Sequence, residues 1–210
     1  MPRRNEDDPE GIRLQLGKET EDRFISVATR LGHIVKDASN DYDDEHNHWD
    51  RLIQIDGEIL KVEIKGGVVK MIEGELSVLH ERRSKHGNAG WTWHSDANIL
   101  AGEEIDAKFI VANMAHLKAK LIEHFDEDAP HQLHPHKGIG AKHYVKYRRA
   151  GNLDSFIWVP LSEIEHEIWE DNDLHKRVQE KRKIGSKTFK IAETKEEMVT
   201  RIRRQFRLGA

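Results

Sequence analysis

The sequence predicts a mixed α/β fold, in which a central β-sheet is flanked by helices and followed by a helical C-terminal extension. Three observations lead to this prediction. Apolar residues recur at helical spacing near the start of the chain, two alternating runs meet at Asp56-Gly57, and a buried-strand pattern in the middle passes directly into a second helical pattern. The length of 210 residues fits one domain with appendages.

The first half of the chain contains the early helix and a hairpin. Residues 1–12 are charged and contain proline, so we expect them to be disordered. The stretch "GKETEDRFISVATRLG" places Phe24, Val27, Ala28 and Leu31 on one side of a helix that ends at Gly32. A short strand "HIVKDA" and an acidic loop lead to the hairpin, and the strand "GELSVLHERRS" follows it.

The second half alternates strands, loops and helices. After the loop "KHGNAGWTWHSD", the runs "ANILAG" and "KFIVAN" are predicted strands, and "MAHLKAKLIEHF" is a predicted helix with Leu117, Leu121, Ile122 and Phe125 on its inner side. A His-rich loop precedes a second hairpin, made by "YVKYRR" and "DSFIWVP". Capping boxes at Ser162/Glu165 and Thr194/Glu197 predict two further helices. We expect one domain over residues 13–172 and a basic extension over 173–210.

Composition excludes several classes of protein. No apolar run approaches the roughly 20 residues that cross a bilayer, and the N-terminus lacks the apolar core of a signal peptide. We therefore expect a soluble, intracellular protein. The absence of cysteine agrees with a reducing compartment and excludes thiolate zinc sites, disulfides and a cysteine nucleophile.

Charge is distributed unevenly along the chain. The net charge is −4, but residues 176–210 hold 12 Lys/Arg against 4 Asp/Glu, a balance of +8 that leaves −12 for the rest. This asymmetry is consistent with a basic appendage that binds a polyanion and equally with a solvated, charge-rich tail.

The first hairpin carries two acids and a lysine among its apolar residues. If Asp56-Gly57 is a two-residue turn, paired residue numbers sum to 113, and Asp50 lies opposite Glu63. The alternation gives the hairpin an apolar face and a mostly polar face, and the polar face also carries Lys65. Opposed carboxylates about 5 Å apart repel by roughly 3 kcal/mol at an effective dielectric near 20, so a compensating charge is required.

A hard divalent cation would compensate these acids. Mg²⁺ takes one or two protein carboxylates and leaves its other positions to water and phosphate oxygens, and Lys65 could orient an attacking water. The alternative is a solvent-exposed strand face on which Lys61 and Lys65 offset the acids by chance. Acid-any-Lys also occurs at Asp106/Lys108 and Glu193/Lys195, but only Glu63/Lys65 has an acid paired across a hairpin.

At these residues the chain resembles the PD-(D/E)XK nuclease superfamily, whose signature is an acid on one strand and acid-any-Lys on the next. The matching residues are Asp50 and Glu63-Ile64-Lys65, with a helix ahead of them, and the resemblance covers roughly residues 15–125. It implies a restriction-endonuclease-like core and Mg²⁺-dependent phosphodiester hydrolysis, with Mn²⁺ able to substitute. Asp50 and Glu63 would hold the metal, and Lys65 would position the nucleophilic water.

Many members of the superfamily also place a carboxylate on the first helix after a glycine, and "GKETE" matches this with Gly17 and Glu21. Glu21 heads the inward-facing stripe of the helix, so it is a further predicted ligand, either direct or through water. The alternative is that Glu21 stabilises the helix dipole. The chain departs from the superfamily in the long segment between Lys65 and "KFIVAN", which resembles the insert of small phage-borne members.

The histidines and tryptophans allow other interpretations. His124, His131, His134, His136 and His143 crowd one stretch and could chelate a metal, although a polar loop is the favoured interpretation. His80 and His94 could touch substrate or simply be packed. Trp91 and Trp93 could stack on an unpaired base, but a loop anchored by buried indoles is favoured.

Two classes of function follow. The first is a Mg²⁺-dependent deoxyribonuclease of a bacterial or phage-infected cytoplasm, acting on DNA, with RNA and branched DNA left open, and with a homodimer as a further expectation. The second is a non-catalytic nucleic-acid- or protein-binding module on a nuclease fold; a metal-storing protein is a weaker third. The predicted nucleic-acid contacts are Arg82, Arg83, Lys85, Lys146, Arg148 and Arg149, with the C-terminal "TRIRRQFR".

Overall fold

The computed structural model describes residues 12–37, 49–55, 57–135 and 138–174. The chain divides into two units, 1–171 and 172–210, and the described part of the second, residues 172–174, is helical. The expected disordered tail apart from Ile12, the Thr194/Glu197 helix and nearly all of the basic extension lie outside the described residues.

The described elements alternate between two β-sheets. In chain order they are α1 (Ile12–Arg30), β1 (Ile34–Asp37), β2 (Arg51–Ile55), β3 (Glu58–Gly66), β4 (Val69–Ile72), β5 (Glu75–Arg83), α2 (Trp91–His94), β6 (Ile99–Ile105), β7 (Lys108–Asn113), α3 (Met114–His124), β8 (Gln132–Leu133), β9 (Tyr147–Arg148), β10 (Ser155–Pro160), a 3-10 turn (Leu161–Glu163) and β11 (His166–Glu170). The mixed α/β class predicted from the sequence is confirmed. Among the described residues, no helix is long and apolar enough to cross a membrane.

The first sheet has the strand order β1-β2-β3-β6-β7-β11. Only the β3–β6 pairing is parallel; the others are antiparallel. Parallel neighbours need a long crossover, and here the crossover consists of β4, β5 and α2 instead of one long helix. The sheet is therefore mixed, as predicted, and the insert after Lys65 forms part of a second sheet.

Helix α1 covers one face of the first sheet. Phe24, Val27 and Ala28 are fully buried, as their spacing predicts, and Phe24 packs edge-on against Phe109 and stacks on Trp169. Gly32 adopts a φ of +90° just after the helix, which favours glycine at this C-terminal turn. The helix begins at Ile12, earlier than expected.

The second sheet, ordered β4-β5-β10-β9-β8, covers the other face together with α3. The two sheets approach closely at Gly102 of β6, where an added Cβ would lie 2.7 Å from a methyl group of Val69. Leu117 and Leu121 of α3 are buried in the core that the two sheets share, as predicted. Ile122, which was predicted on the inner side of the helix, is exposed.

The predicted hairpin register is confirmed from Ile55 to Arg51, and the paired residues end there, one short of the predicted Asp50–Glu63 pair. Ile55 pairs with Glu58 and Arg51 with Val62, so paired numbers sum to 113, and Gly57 in the turn has a φ of +90°. The alternative interpretation of the hairpin, a solvent-exposed strand face, is wrong near the carboxyl end of β3. Glu63 is 1% exposed there, because the second sheet and α3 cover the face on which it lies.

The helix predicted from Ser162 and Glu165 is also wrong. A short 3-10 turn ends at Glu163, and the chain then forms β11 against β7. Two features favour the strand: Trp169 is buried against Phe24, and the Glu165 carboxylate contacts Asn113 at 3.3 Å, away from a capping position. Strands β4 and β8 were not predicted.

Candidate functional site

Asp50 lies where the β2–β3 ladder ends. Its amide donates to the carbonyl of Val62 at 2.7 Å, and its Oδ2 accepts the amide of Ile64 at 2.6 Å. The first of these bonds joins residues whose numbers sum to 112 instead of 113, so the register slips by one residue at this point. Asp50 is thus bound to the two residues on either side of Glu63, and it is 7% exposed.

Glu63 and Lys65 form an ion pair on β3, with Nζ of Lys65 2.6 Å from Oε1 of Glu63. Both oxygens of Glu63 are shielded from solvent, whereas the lysine side chain is partly exposed. Burying a carboxylate requires a compensating charge, and the ammonium supplies one. The pair is on the face toward the second sheet, since Lys65 is opposite Gly102 in the β3–β6 register.

Neighbouring residues pack beside this site and bind strand β3. Trp49, next to Asp50, is buried and has the ammonium of Lys61 5.3 Å from its ring centroid. The backbone N–H of Lys61 donates to Oδ1 of Asn98 at 2.7 Å, and the backbone N–H of Asn98 donates to the carbonyl of Lys61. These contacts fix the strand next to Glu63 on the side of β6.

Glu21 is found on the opposite side of the sheet. Its Oε2 is 2.7 Å from Nη2 of Arg51, and the register pairs Arg51 with Val62. The α1 face also carries Gly66, where an added Cβ would lie 3.2 Å from Oγ1 of Thr20 on the helix. Strand β3 therefore lies between Glu21 and the Glu63–Lys65 pair. The role of Glu21 as a metal ligand stays a prediction.

The donor set at the hairpin fits a hard cation with few protein ligands. Asp50 and Glu63 offer only carboxylate oxygens on neighbouring strands, which suits Mg²⁺, an ion that keeps most of its water shell. Within the described ranges, no group of three or more His, Asp or Glu is gathered that could hold a metal.

The predicted nucleic-acid contacts are distributed around the second sheet. Arg82 and Arg83 both contact Glu127, at 2.8 and 3.6 Å. Lys146 is buried, and its Nζ donates to the Glu127 carbonyl at 2.5 Å, so this ammonium is not at the surface. Arg148 is exposed.

Arg149 is an exposed cation in a charge network whose two acids are buried or nearly so, and the sequence did not reveal this network. Its guanidinium pairs with Asp154, which is fully buried, and with Glu81 at 3.0 Å. Burial raises the pKa of the Glu81 carboxyl, against the opposing effect of a hydrogen bond from the Trp91 amide. A cavity of about 580 Å³ lies beside them, lined also by Ser84, Lys85, His86 and Asn152. Because Glu81 and Asp154 are far apart in sequence, no local pattern indicates that they contact the same arginine.

The described histidines of the His-rich stretch are held separately. His131 contacts Ser155 Oγ at 2.9 Å, His134 accepts from the Trp158 indole at 3.2 Å, and His143 contacts Ser77 Oγ at 2.8 Å. Burial, followed by nearby cations, lowers the pKa of both His131 and His134. His136 lies outside the described residues. These contacts agree with a polar loop more than with one metal centre.

The remaining candidates divide between core and surface. His80 is fully buried, and desolvation lowers its pKa to about 3, so it is a packed core residue. Trp91 packs against the core, as the anchoring interpretation expects, whereas Trp93 is 41% exposed. The guanidinium of Arg82 lies 4.4 Å from the Trp93 ring centroid, so one indole remains at the surface beside a cation.

Part of the chain is similar to a solved structure of another protein. No protein-family model matches the chain, and no curated protein matches it. The solved structure of a bacterial homing endonuclease, I-Ssp6803I, is similar to this chain with a TM-score of 0.35 and 17% identity. The similarity covers 49% of this chain and 66% of that one. At this TM-score the similarity carries no argument about fold or function.

Proposed function

We propose that the protein is a metal-dependent nuclease that hydrolyses phosphodiester bonds of DNA at the first hairpin. The observation that carries the proposal is the arrangement of three groups. Asp50 is bound to the residues on either side of Glu63, and Lys65 Nζ lies 2.6 Å from Glu63. The order of helix, three antiparallel strands and acid-any-Lys on the third also supports the resemblance to PD-(D/E)XK nucleases.

The roles follow from the chemistry of the side chains. Asp50 and Glu63 would hold Mg²⁺, or Mn²⁺ in its place; when bound, such an ion lowers the pKa of a bound water and polarises a phosphate. Lys65 is only partly buried, so its ammonium can face both Glu63 and an incoming phosphate. It would orient the attacking water and offset the negative charge on the phosphate oxygens in the transition state. No serine or cysteine nucleophile is required.

The DNA would be held by cations outside the hairpin. Arg83 and Arg148 are exposed, and Arg82 is partly exposed beside Glu127. Phosphate contacts of this kind give affinity without sequence preference, and their number sets the salt dependence of binding. Action on RNA or branched DNA and formation of a homodimer are further proposals within the same function.

A second candidate is a binding protein that keeps the fold without turnover. The observation in its favour is the burial of Glu63, whose charge Lys65 already offsets without a metal. In this case Asp50 would serve only to end the ladder by accepting the Ile64 amide. The two candidates make different predictions for metal dependence and for the loss of Lys65.

A cleavage assay on linear, nicked, branched and single-stranded DNA, with Mg²⁺ or with chelator, tests the proposal. We expect cleavage only with metal, and its loss in Asp50→Asn, Glu63→Gln and Lys65→Ala. Lys108→Ala is the matched control, because Lys108 also ends an acid-any-Lys tripeptide but pairs with Glu104 at 2.7 Å, away from the hairpin. DNA binding without metal-dependent cleavage would favour the binding protein.

A further inference from the structure

We propose that Arg51 is a positioning residue for Asp50, and that Glu21 acts through Arg51 instead of binding the metal. The proposal rests on the proposed function for its meaning, because Asp50 is there a metal ligand. Its structural content is independent of that function: the guanidinium of Arg51 links helix α1 to the end of strand β2 and to the backbone of Asp50.

The contacts of Arg51 link the helix to the backbone of the site. Its Nη2 is 2.7 Å from Glu21 Oε2, and its Nη1 donates to the Asp50 carbonyl at 2.7 Å. Asp37 on β1 lies 3.5 Å from Nε. The planar guanidinium fixes the direction of each bond, so holding Glu21 also fixes where the Asp50 carbonyl points.

The occupied carbonyl has a consequence for the Asp50 side chain. The amide of Ile64 donates to Asp50 Oδ2 at 2.6 Å, while Arg51 binds the Asp50 carbonyl. The carboxylate is thereby held against β3, next to Glu63. Releasing the carbonyl from Arg51 would let it compete for the Ile64 amide, and the carboxylate would lose its anchor.

Two other ion pairs of α1 provide a contrast. Arg23 binds Glu103 at 2.5 Å, and Arg30 binds Asp171 at 2.5 Å. Both place the arginine on the helix and fasten the helix to the rest of the fold. The Glu21–Arg51 pair reverses this arrangement, and its arginine also binds the backbone of the hairpin site. Arg30→Met is therefore a control for the loss of an α1 ion pair.

The competing interpretation, with Glu21 as a direct ligand, predicts the opposite effect of removing Arg51. If Glu21 binds metal, Arg51→Met releases this carboxylate and removes a cation, so metal affinity should rise. If Arg51 positions Asp50, the same substitution should weaken metal binding about tenfold, as is usual when a partner that orients a ligand is lost. Glu21→Gln should then weaken binding similarly, and the double variant should be no weaker than the worse single variant.

The metal affinity is measured with Tb³⁺, whose luminescence the buried Trp49 next to Asp50 can sensitise. Weaker Tb³⁺ binding in Arg51→Met and Glu21→Gln, but not in Arg30→Met, supports positioning. Tighter binding in Arg51→Met, or additive losses in the double variant, overturns it. If Asp50→Asn and Glu63→Gln leave the Tb³⁺ signal of the parent unchanged, the proposed metal site itself fails.

A second measurement decides the positioning role without any metal. Amide hydrogen exchange of Ile64, relative to the other protected amides of β3, reports its bond to Asp50. We expect the exchange rate of the Ile64 amide, divided by that of the other protected β3 amides, to rise about tenfold in Arg51→Met and Glu21→Gln and to stay unchanged in Arg30→Met. A general loss of stability would instead raise the exchange rates of all these amides together. An unchanged ratio overturns the proposal. If Arg51→Met does not fold, Arg51→Lys replaces it, since a lysine keeps the charge but not the forked geometry.

Discussion

The substitution Asp50→Asn separates a metal site from a strand end that merely contains acids. In the parent, Asp50 and Glu63 are both buried and Asp50 is bound to the residues on either side of Glu63, so there is repulsion between the two carboxylates. The Ile64 amide and the Lys65 ammonium, each at 2.6 Å from a carboxylate oxygen, offset part of it. A bound cation would offset the remainder.

The size of the metal effect follows from mass action. An ion at a hundredfold excess over its dissociation constant raises the free energy of unfolding by about 2.7 kcal/mol if it binds only the folded state. At about 2–4 °C per kcal/mol for a chain of this length, the Tm of the parent should rise by roughly 5–11 °C. Asp50→Asn should abolish this rise and the nuclease activity together.

The metal-free variant provides the second half of the prediction. The introduced asparagine side chain keeps an oxygen that can accept the Ile64 amide, and the substitution removes one repelling charge. Without metal, the variant should therefore be at least as stable as the parent.

Four thermal melts decide the matter, with parent and variant each in chelator and in millimolar Mn²⁺. Asp22→Asn is the control, because Asp22 is an exposed acid on α1 and its loss changes the net charge equally. A parent whose Tm does not change with Mn²⁺, with or without DNA, would refute the metal site and the nuclease function with it.

Three further predictions follow. Lys65→Ala should abolish cleavage while the affinity for Mn²⁺ stays equal or increases, because the ammonium contacts Glu63 but is not a metal ligand. Isothermal calorimetry measures this affinity, and a loss as large as that in Glu63→Gln would contradict the prediction. His80 has a pKa of about 3 in the folded state but about 6.5 in unfolded chains, so the unfolded state gains a proton first as pH falls between these values, and the free energy of unfolding decreases by up to about 1.4 kcal/mol per pH unit. His80→Leu should therefore flatten the dependence of Tm on pH between about 6 and 4. An equal slope in both proteins would count against this role of His80. Truncation after residue 172 should weaken DNA binding and flatten its salt dependence, measured by fluorescence anisotropy, and an unchanged salt slope would exclude the basic tail as a phosphate contact.

Local patterns predicted the parts of the fold that local interactions determine. The turn at Asp56-Gly57 fixed the register from Ile55 to Arg51, but the predicted pairing of Asp50 with Glu63 lies beyond the slip in register next to Arg51. The turn of β4–β5 was missed because Glu73, which adopts a φ of +50° before Gly74, is not a residue that usually marks such turns.

Long-range contacts determined what the sequence could not predict. The Ser162/Glu165 capping box failed because pairing with β7 and burial of Trp169 outweighed a local helix signal. The burial of Glu63 depends on a second sheet whose position no local pattern encodes. The Glu21–Arg51 pair joins residues 30 positions apart, so the sequence identified an inward-facing acid on α1 without its partner.

The crossover between β3 and β6 has a consequence for how the chain acquires its structure. The chain forms β1–β3 in the first sheet, β4–β5 in the second, β6–β7 in the first, β8–β10 in the second and β11 in the first. Neither sheet is a continuous segment, so no single cut of the chain releases one of them intact. Pairings this distant in sequence close slowly, because large loops must be ordered before the contacts that stabilise them exist. During synthesis on the ribosome, the edge of the first sheet at β7 stays open until β11 has emerged, and the face that carries Glu63 is covered only after the second sheet has formed.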